Sequence, residues 1–427
     1  MPSIIIKEKD KTGAEAVQYD DYTALIPGKA ASETEYNVTF NGETFTVKEN
    51  AEFLFETYSA LKAIIGNGKD LDSTHVSYHM AKRLLNLGIK VLFVVRTSLS
   101  ANAESGSVSF FEKFKDRSLY DLRFITAGEF EIDADLANEM VDCAAKRGDA
   151  VALIDVPMAG EESGSVKTAL EIRSWLDGLS NTPFTVGDIV ETPLKYAAGF
   201  AGHFTINTER IAEAGSESGS VEYKKALYPA SFDYLSCFAN YVHSYSDWFA
   251  MAGSVRGKSP FGDITVVDGI FGEAEIALLQ TRELINETGH CSCNVIANIR
   301  PYGNVVWGNR TLHPITLDAE TNTAGLRASN FLNVRQLCSD VKKTVYRACR
   351  RFTFEPNTDT LWVRFCNEIT PLLEKMKSDQ GLRGYKLIQE QTSKKATLKA
   401  VIRIIPVEAV EDFDITIELS DSIEISE

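Results

Sequence analysis

The chain has 427 residues, of which 44% are hydrophobic and 24% are charged, and its net charge is −16 at pH 7. This length exceeds the usual size of one hydrophobic core, so two or more domains are expected. The acidic balance argues against a general nucleic-acid binder, the seven cysteines do not form a disulfide scaffold, and no window approaches the roughly 20 apolar residues of a membrane helix. The first apolar run is too short for a signal peptide, so we expect a protein made in a reducing cytoplasm.

Residues 1–22 predict an N-terminal arm. Ile4, Ile5 and Ile6 suit a short strand, and the polar stretch after them has no hydrophobic period. A strand ended by a Pro-Gly turn is expected over 22–28. Residues 38–47 predict a hairpin, because Asn41 and Gly42 supply the two positive-φ positions of a type I′ turn.

Helices and buried strands alternate through the middle of the chain. The hydrophobic patterns predict helices over 75–87, 136–147, 166–176, 231–240 and 273–287, and strands over 91–95, 150–157 and 250–255. Continuous apolar strands between helices indicate a parallel sheet covered on both faces. The sequence therefore predicts an α/β core domain over residues 23–327.

The remaining residues predict an α+β C-terminal domain over 328–410 and a second arm over 411–427. An amphipathic helix follows Ala328, a second helix runs over 358–377 with a kink expected at Pro371, and two strands cover 385–390 and 398–405. The arm contains seven acids and no base, and one face of its strand is apolar, formed by Phe413, Ile415, Ile417 and Leu419. A lone strand of this kind is not stable alone, so it must pair with a sheet edge of its own subunit or of a neighbour.

The first C-terminal helix is locally basic. From Arg335 to Arg351 the chain has six basic residues and one acid. Lys343, Arg347, Arg350 and Arg351 are candidates for a surface that binds an acidic partner, against the alternative of an ordinary solvated helix face.

Two patterns suggest catalysis or phosphate binding, and each has a simpler structural explanation. The strand that ends at Asp155 resembles the aspartate-bearing strand of subtilisin-like hydrolases, with His203 and Ser254 as triad candidates, but the small-residue context of that family is missing around both. Residues 253–259 have the wrong spacing for a phosphate loop. We expect Asp155 to be a capping or turn residue.

Two groups have the residue types of metal ligands. His75 and His79 share one helix face without the base of a zinc protease, and His290, Cys291 and Cys293 lack a second ligand pair. Packed histidines and buried thiols are the commoner outcome. No enzyme, metal or cofactor is therefore predicted, although a degenerate hydrolase or a binding module that does not polymerise stays an alternative.

Several segments in this order resemble the tail sheath proteins of contractile bacteriophages and related injection machines. They are residues 119–128, 147–155, 228–234, 252–257, 306–312, 333–337 and 354–357. The resemblance implies a core of subtilisin-like topology and a structural subunit that stacks as hexameric rings around a tail tube and contracts to drive the tube through a cell envelope. It implies assembly in the bacterial host cytoplasm, a place in the virion tail and a part in viral genome ejection.

The resemblance also implies partners. These are other copies of the chain, the tail tube protein, and the baseplate and tail-terminator proteins, without nucleic acid or membrane insertion. Terminal arms exchange strands between sheath subunits, so Ile4 to Ile6 and Phe413, Ile415, Ile417 and Leu419 are expected to join a neighbour's hairpin. The basic helix face is expected to contact the tube.

Overall fold

The structure is a computed structural model that describes residues 22–99, 109–157, 168–186, 189–209, 211–212, 223–281, 289–317, 325–391, 397–407 and 409. Both predicted arm strands, Ile4 to Ile6 and Phe413 to Leu419, lie outside these residues and stay predictions. The strands are β1 Thr23–Gly28, β2 Tyr36–Phe40, β3 Glu43–Val47, β4 Glu52–Phe55, β5 Lys90–Val95, β6 Phe124–Ile125, β7 Val151–Asp155, β8 Phe184–Val186, β9 Ile189–Glu191, β10 Ala197–Ala201, β11 His203–Ile206, β12 Ile211–Ala212, β13 Tyr223–Lys224, β14 Tyr228–Pro229, β15 Ile264–Asp268, β16 Cys293–Ile299, β17 Gly303–Trp307, β18 Leu382–Glu390 and β19 Lys399–Pro406.

The central sheet has eight strands in the order β17-β16-β10-β7-β6-β1-β5-β4. The six inner strands are parallel to one another, and the two outer strands, β17 and β4, are antiparallel to the inner strands beside them. The inner strands are buried on both sides, which is why their sequences are continuously apolar rather than alternating.

Helices cover both faces of this sheet. The helices of the described residues are α1 Tyr58–Ile64, α2 Val76–Asn86, α3 Ala134–Arg147, α4 Ala169–Asp177, α5 Ala230–Tyr241, α6 Gly253–Arg256, α7 Glu273–Leu279, α8 Leu332–Phe352 and α9 Asp359–Ser378, with 3-10 turns at Glu112–Lys115, Pro193–Tyr196 and Ala328–Asn330. One core cluster joins α1, α2 and α5 to the sheet. A second joins α3, α4 and α7 to the opposite face. The predicted α/β class is confirmed.

The C-terminal region has its own core, built from α8, α9 and the hairpin of β18 and β19. Leu337 and Val341 of α8 pack with Phe365 and Ile369 of α9, and Trp248 of the central region joins them. The Trp248 indole donates to the carbonyl oxygen of Asp379 at 3.0 Å. The α/β core and the C-terminal region are thereby joined through a shared apolar cluster.

Three predicted elements differ from the structure. Residues 250–255 were expected to form a strand, but Gly253 has a φ of +77° and begins the short helix α6. Helix α7 ends at Leu279 rather than at 287, and Thr281 has a φ of +54°. Helix α9 is continuous through Pro371, and its buried face includes Leu373, whereas the spacing of apolar residues in the sequence points to Leu372.

The local turn predictions are confirmed. Asn41 and Gly42 have φ values of +51° and +84° and join β2 to β3. Gly148 ends α3 in the left-handed conformation, as expected for a helix C-terminus. Among the helices of the described ranges, none combines the length and hydropathy needed to span a bilayer.

Candidate functional site

Helix α8 connects the C-terminal region to the core through buried charge. The Arg123 guanidinium, 1% exposed, forms ion pairs with Asp247 and with Asp340 of α8 and donates to the Gln336 carbonyl oxygen at 3.1 Å. Burial raises the pKa of Asp340, and the charge of Arg123 acts against that rise. Removing one partner from such a cluster leaves an uncompensated buried charge, which is strongly destabilising. This contact holds α8 against strand β6.

Lys343 is part of the same interface. Its side chain is 8% exposed, and its Nζ donates to Asp121 at 2.6 Å. Burial lowers the pKa of Lys343 against the opposing charge of Asp121. The expectation that Lys343 lies on an outward-facing surface is therefore wrong, because its charge is used inside the subunit.

The other three basic candidates lie toward the exposed end of α8. Arg347 is half-exposed and reaches the second oxygen of Asp121 at 3.0 Å. Arg350 lies over the Tyr346 ring, and Arg351 is 73% exposed and pairs with Glu368 at 2.5 Å. Exposed pairs of this kind contribute little to stability and are open to exchange for another partner.

Strands β18 and β19 form an antiparallel hairpin against α9. The pairs Tyr385–Ile404 and Leu387–Ile402 lie on the face that packs on the C-terminal core. The opposite face carries Arg403 and the 59% exposed Ile405. Within the described residues, each strand pairs on one edge only, so the hairpin has edges to which another strand can add.

A groove runs along α8 and β19. It consists of two cavities of about 890 and 470 Å³ that share Val345, Cys349 and Ile402. The larger lies between the C-terminal region and core segments that include Arg117 and Lys146. We call the two cavities together the α8–β19 groove. Its further apolar lining consists of Val341, Ile404, Val186, Phe352, Phe354, Leu361, Phe365, Leu398 and Ala400.

The groove has an apolar floor, and cations line its larger cavity beside Asp116 and Glu191. Arg117 stacks on Tyr346 with 4.0 Å between the guanidinium carbon and the ring centroid. Lys342 donates to the Tyr196 hydroxyl at 2.9 Å. Burial, with the nearby charge of Arg335, lowers the pKa of Lys342 to about 8. This combination suits a segment that has both apolar side chains and carboxylates.

The residues considered for proteolysis have other partners. Asp155 accepts hydrogen bonds from the Ser231 amide at 3.0 Å and the Ser231 hydroxyl at 2.6 Å, in the first turn of α5. The carboxylate therefore caps a helix, as predicted. Burial raises the pKa of Asp155 to about 6 against those hydrogen bonds.

His203 is held by Asp268 rather than by a serine. The Nδ1 to carboxylate distance is 2.8 Å, and the His203 amide also donates to Asp268. Burial lowers the pKa of His203, but Asp268 and the charge of Asp155 outweigh it and hold the pKa above its ordinary value. Ser254 lies on α6, and the contacts described for Asp155 and His203 do not include it. The three residues do not form the serine, histidine and aspartate chain of a triad.

The possible metal ligands also have structural partners. His75 bonds to Asp72 at 2.9 Å, and buried His79 contacts the Leu71 carbonyl oxygen at 3.1 Å. His290 pairs with Asp177, while Cys291 and Cys293 are buried free thiols. Within the part of the chain that the structure describes, no group of three or more histidine, cysteine or acidic side chains could hold a metal ion.

The comparisons with known proteins agree with this architecture. Residues 328–420 match the family model of the phage tail sheath C-terminal domain. The sheath complex of an extracellular contractile injection system, PVC, in its contracted state is similar with a TM-score of 0.61 and 15% identity, over 99% of this chain and 98% of that one. The fold is that of a contractile sheath subunit. The resemblance inferred from the sequence is thereby confirmed.

Two further solved structures give the same fold. The six-fold symmetrised baseplate of the anti-feeding prophage is similar with a TM-score of 0.58 and 14% identity, over 98% of this chain and 99% of that one. Its contracted state gives 0.58 and 12%, over 98% of each chain. No curated protein sequence matches the chain. The similarity spans core and C-terminal region together.

Sequence reasoning missed the acidic partners of α8 and the groove. Asp121 and Arg123 lie more than 200 residues from Lys343 and Asp340 along the chain, so no local pattern connects them. Residues 119–128 carry part of the sheath resemblance, but their local pattern does not indicate a contact with α8. Asp121 and Arg123 are charged residues in an otherwise mostly apolar segment just before a strand. This pattern could have indicated that they pair with charges elsewhere in the chain.

Proposed function

We propose that the chain is the structural subunit of a contractile sheath, which polymerises as stacked rings around a tail tube and drives the tube through a cell envelope when it contracts. The observation that carries the proposal is the sheath fold over nearly the whole chain, together with the sheath-type C-terminal region. The hydrogen bond by which Asp155 caps α5 supports a structural rather than a catalytic role for this residue.

The partners follow from this role. Copies of the chain, a tube protein, and baseplate and tail-terminator proteins are its proposed neighbours, and the assembled sheath belongs to a virion tail or to an injection particle built in the host cytoplasm. Nuclease-protected DNA in purified particles distinguishes a genome-ejecting tail from a particle that carries other cargo.

The proposed tube contact is the exposed end of α8. A sheath must slide on its tube, so a few exposed charge contacts suit the task better than a large dry interface. Arg347, Arg350 and Arg351 remain in this proposal, because all three keep solvent access. Lys343 acts instead by fixing α8 on the core.

The proposed inter-subunit contact is strand addition at the C-terminal hairpin. Phe413, Ile415, Ile417 and Leu419 of one subunit, with Ile4 to Ile6 of another, would extend the sheet of β18 and β19. Main-chain hydrogen bonds supply affinity and alternating side chains set the register. The hairpin edges and the apolar groove beside β19 support this proposal.

Electron microscopy of the purified chain, alone and mixed with tube protein, tests the function. Hollow helical polymers with a ring repeat are expected, and tubes should promote their growth. A monodisperse monomer at every concentration, with and without tubes, would contradict a sheath and favour a binding module.

A further inference from the structure

The end of β19 fixes where the C-terminal arm starts. The Val407 amide donates to the Gly381 carbonyl oxygen at 3.0 Å, which holds the chain beside the hairpin as it leaves β19. Six residues, 407–412, separate Pro406 from the alternating segment that begins at Phe413. A connection of about six residues is slightly longer than the usual hairpin loop of about two to five residues but is an ordinary length for a connection between elements, so the arm can reverse direction onto β19 of its own chain.

The length and pattern of the arm match β19. The alternating segment 413–419 has seven residues, and β19 has eight. In the register that pairs Pro406 with Phe413, residues 415, 417 and 419 lie opposite Ile404, Ile402 and Ala400, which face the C-terminal core and line the groove. A slip of one residue would turn every apolar side chain outward, so the alternation selects this family of registers.

Charge agrees with the same register. Asp414 and Glu418 then lie on the outer face, diagonal to Arg403 of β19 on either side. Opposite charges at such cross-strand positions are favourable. The acids that flank the segment, including Glu411 and Asp412, meet a groove that Arg117, Lys146 and Lys342 help to line.

We propose that in the free subunit residues 413–419 fold back as an antiparallel third strand on β19 and fill the α8–β19 groove of their own chain, so that polymerisation requires this strand to be exchanged for a neighbour's. The inference rests on the strand exchange proposed above and adds the state that precedes it. A tethered strand has an effective concentration in the millimolar range. Dilute subunits therefore stay closed, and their adhesive edge is covered until many copies meet on a tube.

A peptide of residues 407–427, labelled with a fluorophore, tests this on the full chain. It is added to the monomeric fraction of the wild type and of an Ile415→Asp/Ile417→Asp variant, whose own arm cannot occupy the groove. We expect the variant to bind the peptide at least about tenfold more tightly, because the wild-type groove is occupied by a tethered competitor. A chain lacking residues 411–427 provides the same comparison if the double variant misfolds.

Two results overturn the inference, and they differ in what else they affect. Equal binding to both proteins means that the groove is open in the free subunit, and it leaves strand exchange in place. Binding to neither protein means that the groove is not the docking site of this strand, and it removes the arm mechanism proposed above as well.

The charge pairing provides an independent test. Adding Arg403→Glu to the arm variant should weaken peptide binding, and a peptide with Asp414→Lys and Glu418→Lys should restore it. Lys377→Glu, at the exposed end of α9, is the matched control and should leave binding unchanged. Equal weakening by Arg403→Glu and Lys377→Glu would overturn the register.

Discussion

Asp155 lies where a buried strand ends and a helix begins, and its carboxylate contacts the Ser231 amide and hydroxyl of α5. A carboxylate at a helix N-terminus accepts hydrogen bonds from amides that have no partner within the helix and interacts favourably with the helix dipole. The same residue type at a strand end also serves hydrolases. The group that the carboxylate contacts decides whether the residue caps a helix or takes part in catalysis, and here that group is a helix terminus.

Replacing Asp155 should therefore change stability. We expect Asp155→Ala to lower the free energy of unfolding by about 1–2 kcal/mol, the usual effect of losing a helix cap. Asp155→Asn keeps one acceptor oxygen and should lose less. Urea denaturation of the monomeric fraction measures both, and Ser254→Ala is the control, expected to stay within about 0.5 kcal/mol of the wild type.

The hydrolase alternative has its own readout in the same variants. Reproducible peptide or ester hydrolysis by the wild type, lost in Asp155→Ala or Ser254→Ala, would contradict the structural role.

Asp233 predicts a pH dependence of stability. It is fully buried in α5, its carboxylate oxygens accept no hydrogen bond of good geometry among the described residues, and burial raises its pKa to about 7 against a small effect of Ser259. Because the folded pKa is higher than the unfolded pKa of about 3.9, the fold favours the protonated form. Its contribution is greatest at low pH and is lost as pH rises from about 4 through 7.

The variant Asp233→Asn should remove that dependence. Relative to the wild type, its free energy of unfolding should improve progressively from pH 5 to pH 8, by a few kcal/mol at most. Chemical denaturation at several pH values measures the difference. Parallel curves for the two proteins would show that Asp233 titrates normally in the fold.

At the scale of elements, α8 combines two roles in one helix. Its first half is buried around most of its circumference and includes Asn333, Arg335, Gln336 and Asp340. Its last turns carry exposed arginines. The helix therefore connects the folded interior to the surface proposed for the tube.

These two halves should respond differently to charge reversal. Lys343→Glu places a carboxylate beside Asp121 in a buried position, so we expect a loss of several kcal/mol of stability and less soluble protein. Arg350→Glu with Arg351→Glu should leave the free energy of unfolding within about 1 kcal/mol and impair assembly on tubes. Thermal unfolding and co-sedimentation with tubes measure the two effects.

Salt provides the control for the second effect. Wild-type binding to tubes should weaken as salt screens exposed charges, and the double arginine variant should lose most of that dependence. Normal sheaths from the double variant, with unchanged salt dependence, would contradict the tube assignment.

Local sequence patterns predicted where helices and turns occur, but they did not predict which side chains of those elements are buried. The Asn41-Gly42 hairpin and the helix end at Gly148 depend on φ angles that few residues adopt, so sequence alone identifies them. The spacing of apolar residues located α8, but it did not predict that the polar face of its first half is buried. Those polar residues have distant partners, for example Asn333 with the Trp248 carbonyl oxygen.

The one wrong strand has a similar explanation. Residues 250–255 are mostly apolar or small, yet Gly253 takes a positive φ that starts a helical turn. Neither the groove nor the Lys343 contact could be predicted from local sequence, because each is formed by residues far apart along the chain. The groove walls come from core loops, α8 and β19. Sequence reasoning predicted the strand, the hairpin and the basic helix separately, and tertiary structure shows which of their side chains are available.

At the scale of the whole molecule, the core and the C-terminal region are joined in a way that suits movement as one body in the proposed sheath. A shared apolar cluster around Trp248 and the ion pairs of Arg123 join core and C-terminal region. Both contacts are buried, so they would be costly to break if the proposed sheath contracts. The proposed changes between extended and contracted sheaths then fall on exposed contacts between subunits and on the arms that link them.

Deleting residues 411–427 separates folding from assembly. The three core clusters are formed by described residues that the deletion keeps, so we expect a folded, soluble monomer whose thermal unfolding is lowered only by the loss of the strand proposed to cover β19. It lacks the strand that would join a neighbour, so it should not polymerise even at high concentration or with tubes. From Pro406 to Leu419 an extended chain spans at most roughly 40 Å, enough to reach an adjacent subunit. A full-length chain whose arm keeps its composition but loses its alternation is the control and should fail in the same way, and ordered sheaths from either protein would show that the arm does not hold the rings together.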